Sequence, residues 1–233
     1  MERLDKRLAT TGRWSRKEAR ELIRAGRVTV DGQVVRSPEQ KVGDEPVQVD
    51  GAPLEAAGPV YLMLHKPGGV VSATEDSREK TVLSLLPEQY RRLGLFPVGR
   101  LDKDTEGLLL LTNDGPLAHR LLAPKSHVDK VYYAQVDGVL DGEDCKAFQR
   151  GITLADGYTC LPAQLEVIED GRAAQITVQE GKYHQVKRMM AARGKPVTYL
   201  KRVRFGPLTL DPELEKGCWR ALTEEEKKLL FRH

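Results

Sequence analysis

The 233-residue chain has few cysteines, few aromatic residues and no long apolar run. Its three cysteines, Cys145, Cys160 and Cys218, are far apart and form no C-x-x-C pair, which argues against a disulfide framework and a zinc knuckle. We interpret them as ordinary thiols of a reducing compartment. The longest aliphatic stretch, residues 108–111, has the length of a strand. A membrane span of about 20 apolar residues is therefore not expected.

Several functional signatures are also missing. The chain begins with a charged segment that has no apolar signal core, so we expect a cytoplasmic protein. It contains no G-x-x-x-x-G-K-[ST], G-x-G-x-x-G, G-x-S-x-G or H-E-x-x-H motif, and its five histidines are scattered. Nucleotide-driven, serine-hydrolase and zinc-hydrolase activities therefore have no support, and we expect neither a metal nor another cofactor.

Positive charge is concentrated in two blocks. Apolar residues make up 40% and charged residues 30% of the chain, as in soluble globular proteins. Residues 1–36 carry ten basic and five acidic side chains, a net of +5, and residues 181–207 carry eight basic and none acidic, a net of +8. The intervening residues 37–180 carry 14 basic and 23 acidic, a net of −9. This pattern is compatible equally with a polyanionic partner and with solvated basic faces.

The first 57 residues have the signals of a small α/β domain. A short amphipathic helix should end near Gly12, and a capping-box pattern at Ser15 and Glu18 predicts a helix over 15–25. Asp31-Gly32 between two valine-rich segments predicts a hairpin over 28–35 with a type I′ turn, and residues 47–49 form a third strand. Residues 51–59 are rich in Gly, Ala and Pro and are interpreted as a linker.

The remainder, residues 60–233, has mixed helix and strand signals without strict alternation. This mixture indicates an α+β domain around a mixed or antiparallel sheet. We therefore expect a domain over 1–57 and a larger one over 60–233 that folds on its own. The predicted strands are 60–64, 107–112, 130–137, 164–168, 173–179 and 197–201, and the predicted helices are 81–92, 116–123, 141–150, 184–193 and 223–231.

Three segments of the larger domain carry a family resemblance. They are Gly-Arg-Leu-Asp-Lys-Asp-Thr-Glu-Gly at 99–107, Lys-Val-Tyr at 130–132, and Glu-Gly-Lys-Tyr-His-Gln-Val-Lys-Arg-Met at 180–189. The chain resembles the pseudouridine synthase family that includes the small-subunit rRNA enzymes, and is similar to the subgroup that isomerises uridine 516 of 16S rRNA. The first domain resembles the S4 RNA-binding domain in Arg3-Leu4-Asp5-Lys6, Ser15-Arg16-x-x-Ala19 and Gly26-x-Val28-x-Val30-x-Gly32.

The resemblance implies the roles of four site residues. Asp102 is the carboxylate that attacks the sugar or base, or assists a glycal path; the sequence leaves these three routes open. Lys187 is the cation that keeps this carboxylate ionised and oriented. Tyr132 stacks on the uracil once it leaves the helix. Arg100 enters the space that the base vacates, holds a backbone phosphate, or has only a structural role.

Two neighbouring carboxylates do not fit a glycosidase. Asp104 and Glu106 are close to Asp102 in sequence, but their spacing does not place two carboxyl groups on opposite sides of one bond. We interpret both as surface or turn residues. The isomerisation itself breaks the N1–C1′ bond and joins C5 to C1′ without redox change, so it requires no cofactor.

The resemblance also implies an rRNA partner, 16S rRNA in a free or partly assembled small subunit, and we expect the protein to act as a monomer. The same chemistry on 23S rRNA and a non-catalytic RNA-binding or ribosome-assembly role remain alternatives. For any single arginine, a solvated helix face is the alternative to a phosphate contact. The residues that we expect to contact RNA phosphates are Arg3, Arg16, Lys17, Arg20, Arg27 and Arg188.

Overall fold

The computed structural model describes residues 1–54 and 58–232, and the chain divides into two units. One unit comprises Met1–Val60 with Leu86–Phe96, and the other comprises Tyr61–Leu85 with Pro97–His233. The sequence analysis assigned residues 86–96 to the larger domain, but in the structure they belong to the smaller unit. The predicted linker contains a short strand at Ala52–Pro53, which pairs with Val47–Val49. The linker residues 55–57, and with them the predicted end of the first domain, lie outside the described residues.

The local signals of the smaller unit are confirmed. Ser15 accepts a hydrogen bond from the Glu18 amide at 3.1 Å, and the Glu18 carboxylate accepts one from the Ser15 amide, so the predicted capping box is formed. Asp31 and Gly32 both have positive φ, as a type I′ turn requires. The elements are β1 (Glu2–Arg3), α1 (Leu4–Ala9), α2 (Arg16–Arg24), β2 (Val28–Val30), β3 (Gln33–Val35), β4 (Lys41–Val42), β5 (Val47–Val49), β6 (Ala52–Pro53) and α3 (Glu88–Arg91).

The larger unit is built on a mixed sheet, as predicted. The strands are β7 (Tyr61–Lys66), β8 (Phe96–Pro97, at the boundary of the two units), β9 (Glu106–Thr112), β10 (Lys130–Val136), β11 (Gln164–Ile168), β12 (Ala173–Val178), β13 (Val197–Phe205), β14 (Leu208–Thr209) and β15 (Trp219–Ala221). In the sheet they follow the order β11-β12-β10-β13-β9-β7-β15, with β14 paired to β13. Most neighbours are antiparallel, but β13 and β9 run parallel.

Four of the five helices predicted for this unit are present within one or two residues. The prediction of a helix over 81–92 is wrong: a 3₁₀ turn at Val82–Leu85 is followed by Pro87 and the one-turn helix α3. Proline lacks the amide that a helix interior needs, so the chain breaks there. No helix of the described ranges is long and apolar enough to cross a membrane. The helices are α4 (Gly115–Leu122), α5 (Gly142–Arg150), α6 (Gln185–Ala192) and α7 (Glu224–Arg232), with 3₁₀ turns at Pro124–Ser126 and Glu169–Gly171.

The apolar core of this unit fixes α6 in place. Met189 and Met190 of α6 are completely buried in one cluster with Phe148 of α5 and Ile176 of β12. Burial of a side chain of this size stabilises the fold by roughly 1.5–3 kcal/mol. The core therefore holds α6, and with it Lys187, in a fixed position.

Gly107 on β9 lies directly against the backbone of Arg202 on the parallel strand β13. It has a φ of 105°, and a Cβ at this position would lie 2.2 Å from the carbonyl oxygen of Arg202. We expect Gly107→Ala to destabilise the protein by about 3 kcal/mol or more. Thermal unfolding followed by circular dichroism measures this change. Gly115→Ala is the control, because no atom lies within 4 Å of its new Cβ; equal melting temperatures for the two variants would contradict the prediction.

Candidate active site

Asp102 lies in a tightly held turn before β9. The preceding residue, Leu101, is fixed to the buried Ser72: its amide donates to Ser72 Oγ at 3.0 Å, and Ser72 Oγ donates to its carbonyl at 2.8 Å. The Asp102 carbonyl accepts from the Thr105 amide at 3.1 Å. The Asp102 side chain remains 26% exposed. The backbone is thus immobilised while the carboxylate stays accessible.

Lys66, at the end of β7, stabilises this turn through hydrogen bonds to backbone carbonyl groups. It is fully buried, and its Nζ donates to the carbonyl oxygens of Thr105 at 2.8 Å, Pro67 at 3.0 Å and Lys103 at 3.1 Å. Burial lowers the pKa of Lys66 to about 8, and the nearby carboxylates, Asp102 among them, oppose this shift. The sequence analysis assigned no role to Lys66.

Replacement of Lys66 should loosen the turn that carries Asp102. Lys66→Met removes the ammonium donor from three carbonyl groups, of which that of Lys103 still accepts from the Gly69 amide at 2.8 Å. We expect a loss of about 2 kcal/mol in unfolding free energy and at least ten-fold in turnover. Chemical denaturation and single-turnover kinetics measure the two effects. The control is Lys103→Met in the same turn, which removes only an exposed ion pair with Glu79. Equal effects of the two substitutions would show that the buried ammonium does not organise the turn.

Lys187 on α6 bridges two carboxylates. Its Nζ lies 3.1 Å from Asp102 Oδ2 and 2.6 Å from Asp104 Oδ1. Burial opposes the charged ammonium, but the hydrogen bonds that Lys187 donates to Asp104 and Asp102 outweigh it and raise the pKa of Lys187. The hydrogen bond from Lys187 in turn lowers the pKa of Asp104. Asp104 is 76% exposed, in agreement with a surface position, but the sequence analysis missed its contact with Lys187.

The segment before α6 adds a further group to the site. His184 has a left-handed backbone with φ 48°, and its Nε2 lies 3.5 Å from Asp102 Oδ1. Its ring stacks on the exposed ring of Tyr183, with 3.8 Å between centroids. The buried Gln185 donates to Glu180 at 2.8 Å and accepts from the Lys182 amide at 2.9 Å. These bonds close the loop and aim His184 at Asp102.

Three of the residues that the sequence selected line one cavity. Arg100, Asp102 and Tyr132 surround a volume of about 70 Å³ together with His184 and Thr105. Lys187 reaches this group through its ion pair with Asp102. The arrangement offers a flat aromatic surface and an accessible carboxylate in the same small cavity, and is thus suited to a planar ring whose attached atom reacts with a carboxylate.

Arg188, the next residue on α6, does not join this cavity. Its guanidinium forms an ion pair with Asp156 and donates to the Tyr183 carbonyl at 3.4 Å. Its side chain is 29% exposed. A role toward RNA would require a phosphate to share or displace the contact with Asp156.

The basic face of the smaller unit is organised around a buried carboxylate. The Asp5 side chain is completely buried, and the Nε atoms of Arg20, Arg3 and Arg16 lie 2.9, 3.1 and 3.4 Å from it. Burial favours the neutral acid, but the hydrogen bonds of Arg3 and Arg20 and the charge of Arg16 hold the pKa of Asp5 far below its usual range. The three arginines are partly exposed, and all three form an ion pair with Asp5.

The other two residues predicted to contact RNA differ in their surroundings. Arg27 forms a two-point ion pair with the exposed Asp50, at 2.8 and 2.5 Å. Lys17 is exposed and forms no ion pair within the ranges that the structure covers. Lys17 is therefore the member of the set whose charge is most available to a ligand.

The chain is similar to known proteins over most of its length. Residues 60–192 match the family described as RNA pseudouridylate synthase, and residues 2–45 match the S4 domain. The chain is 46% identical over 227 residues to the ribosomal small subunit pseudouridine synthase A of Pseudomonas aeruginosa, covering 96% of this chain and 98% of that protein. It is 43% identical over 227 residues to the protein of the same name from Escherichia coli K12, covering 96% and 97%.

A solved structure agrees with this similarity. A crystal structure of a pseudouridylate synthase superposes with a TM-score of 0.70 at 35% identity, and covers 99% of this chain and 100% of that one. The fold and these similarities define an enzyme that modifies RNA. The chain belongs to the RNA pseudouridylate synthase family and carries an S4 domain at its N-terminus. It is accordingly an isomerase.

Proposed function

We propose that this protein converts uridine 516 of 16S rRNA to pseudouridine, with Asp102 as the reacting carboxylate. The observation that carries the chemistry is the placement of Asp102 in a cavity with Tyr132, where Lys187 fixes its carboxylate at 3.1 Å. The target is supported by similarity over nearly the whole chain to two proteins named ribosomal small subunit pseudouridine synthase A. An rRNA substrate and an S4 domain also account for the basic blocks of the sequence.

In this proposal each residue of the cavity has one task. The target uridine leaves its stack and its base lies against Tyr132. Asp102 assists cleavage of the N1–C1′ bond, and Lys187 orients its carboxylate. The base turns, C5 bonds to C1′, and the proton lost from C5 is balanced by one gained at N1. Arg100 at the mouth of the cavity holds the space or the phosphate next to the displaced base.

The basic face of the smaller unit supplies affinity for rRNA in this proposal. We expect Lys17→Met to make the fall of log K with log salt less steep by about 0.7–0.9, the value for one phosphate contact. Arg20→Met should lower the slope similarly and also destabilise the unit, because it removes a partner of the buried Asp5. A salt series of filter-binding measurements tests both. Lys146→Met, which removes an exposed cation paired with Glu143, is the control, and an equal slope change there would refute the assignment.

The proposed target is tested with purified protein and two RNA substrates. We expect the protein to form one pseudouridine per molecule of a 16S fragment that contains uridine 516, and none in fragments of 23S rRNA. Conversion in 23S fragments alone would reassign the target and leave the chemistry intact. RNA binding without conversion of any fragment or assembly intermediate would favour the non-catalytic alternative.

A further inference from the structure

A second and larger cavity adjoins the one that contains Asp102. It has a volume of about 530 Å³, within the range of pockets that hold small ligands. Arg100 and Tyr132 line both cavities, so the two are adjacent. Lys130 and Arg202 line only the larger one, and neither has a part in the chemistry described above.

Sheet register brings Lys130 and Arg202 together. Lys130 and Tyr132 are two residues apart on β10, so their side chains share one face of the sheet. On the neighbouring β13, Arg202 is the partner of Tyr132 and Phe205 is the partner of Lys130. The Arg202 guanidinium carbon lies 5.1 Å from the centre of the Phe205 ring, and Lys130 Nζ lies 5.8 Å from the same centre. Two cations thus share a single aromatic ring.

These cations have no acidic partner at ion-pair distance within the described ranges. Arg202 is 1% exposed; its Nε donates to the Leu108 carbonyl at 2.8 Å, while its buried Nη2 has no acceptor. Lys130 donates to the Val128 carbonyl at 2.8 Å and weakly to that of Gln179 at 3.5 Å. Burial, together with the charge of Arg202, lowers the pKa of Lys130 to about 8. Buried like charges of this kind are costly unless an anion compensates them.

The carboxylates nearest to this pair are engaged elsewhere. Glu180 lines the cavity but accepts hydrogen bonds from Tyr158 Oη, the Leu161 amide and Gln185 Nε2, each at 2.8 Å. Asp129 accepts from Gln179 at 3.0 Å. Both exert an attractive field on Lys130, but neither forms an ion pair with it. The two carboxylates therefore offset the charge of Lys130 only in part, and within the described ranges neither accepts a hydrogen bond from Lys130 or Arg202.

We propose that Lys130 and Arg202 form an anion subsite that holds the backbone phosphate next to the flipped uridine. Lys130 supplies a remaining ammonium hydrogen, and Arg202, whose Nη2 is buried, adds positive charge beside it. The subsite deepens the proposed function and rests on it. Because it adjoins the Asp102 cavity, it would hold the phosphate of a uridine nucleotide only if the uridine binds in that cavity. A phosphate bound here fixes the sugar relative to Asp102, since base and phosphate are then held at two points.

Mononucleotide binding tests the subsite without rRNA. We expect the intact protein to bind one of uridine 3′-monophosphate and uridine 5′-monophosphate about ten-fold more tightly than uridine, measured by titration calorimetry. Lys130→Met should reduce this preference to within two-fold without changing the affinity for uridine, and Lys130→Arg should retain it. The control is Lys201→Met on the neighbouring strand β13, whose Nζ lies over the Tyr133 ring instead. This control should keep the preference.

The outcomes separate the subsite from the proposed target. Equal binding of uridine and both nucleotides by the wild-type protein would overturn the subsite, as would inorganic phosphate that binds as tightly as the nucleotide. If the nucleotide preference depends on Lys130 but 16S rRNA is not converted, the subsite stands and only the target fails.

In the 16S fragment, neutral methylphosphonates placed beside uridine 516 complete the test. At one of these positions the methylphosphonate should weaken RNA binding by the wild-type protein about ten-fold and leave RNA binding by Lys130→Met unchanged. If the methylphosphonate weakened binding by both proteins to the same extent, Lys130 would not contact that phosphate.

Discussion

Asp102→Asn should abolish pseudouridine formation and leave RNA binding within a few-fold of the wild-type value. Asparagine keeps the shape of the side chain in the turn before β9 but removes the carboxylate charge that the reaction needs. We expect the single-turnover rate to fall by about 10⁴-fold or more, as for removal of a catalytic residue from other enzymes. The rate is measured on the 16S fragment at saturating protein, and affinity by filter binding.

The neighbouring Asp104 provides the matched control for this substitution. Asp104 also touches Lys187, at 2.6 Å, but its side chain is 76% exposed and does not line the cavity. We expect Asp104→Asn to lower the rate by no more than about ten-fold, because Lys187 keeps its contact with Asp102. If Asp104→Asn were inactive and Asp102→Asn active, the reacting carboxylate would have been assigned to the wrong residue.

Lys187→Met should lower the rate by about 10²-fold or more, and Lys187→Arg should retain a larger share of activity. Methionine matches the length of the lysine stem but leaves Asp102 and Asp104 without the cation between them. Loss of one partner of a partly buried ion pair is costly because the remaining charge is uncompensated. Arginine keeps the charge, although its planar fork fits the two carboxylates differently. Rates and RNA affinities of both variants are measured on the same fragment.

Arg188→Met is the control on the same helix. Arg188 pairs with Asp156 outside the cavity, so its loss should change RNA affinity or stability more than the rate at saturating RNA. Equal rates for Lys187→Met and Lys187→Arg would show that charge at this position does not matter. A rate loss for Arg188→Met as large as that for Lys187→Met would point to a general effect of the helix.

Local signals explain why much of the fold could be predicted from the sequence. The capping box at Ser15 and Glu18, the Asp31-Gly32 turn and the alternating strands depend on residues a few positions apart. The failure at 81–92 has a local cause too, since Pro87 was present in the sequence and should have ended the helix. The parallel pairing of β9 and β13 joins residues about 95 positions apart, and the pattern of neither strand encodes it.

The site was predictable only where side chains were part of a motif. Asp102, Tyr132 and Arg100 were found in this way, and the structure places them around one cavity. Lys66 was missed because its partners are backbone carbonyls, two of them 37 and 39 positions away, and a carbonyl has no residue type to recognise. The convergence of three arginines on Asp5 was missed for a related reason, since helical periodicity shows a basic face and not the acid beneath it.

Mapping pseudouridine in rRNA from cells that lack this protein is the most direct test of the proposed function. Cells without it should lose a single pseudouridine, at position 516 of 16S rRNA, and retain all those of 23S rRNA. Expression of the wild-type protein should restore the modification, and expression of Asp102→Asn at the same level should not. An unchanged map, a loss confined to 23S rRNA, or restoration by the Asp102→Asn protein would each contradict the account.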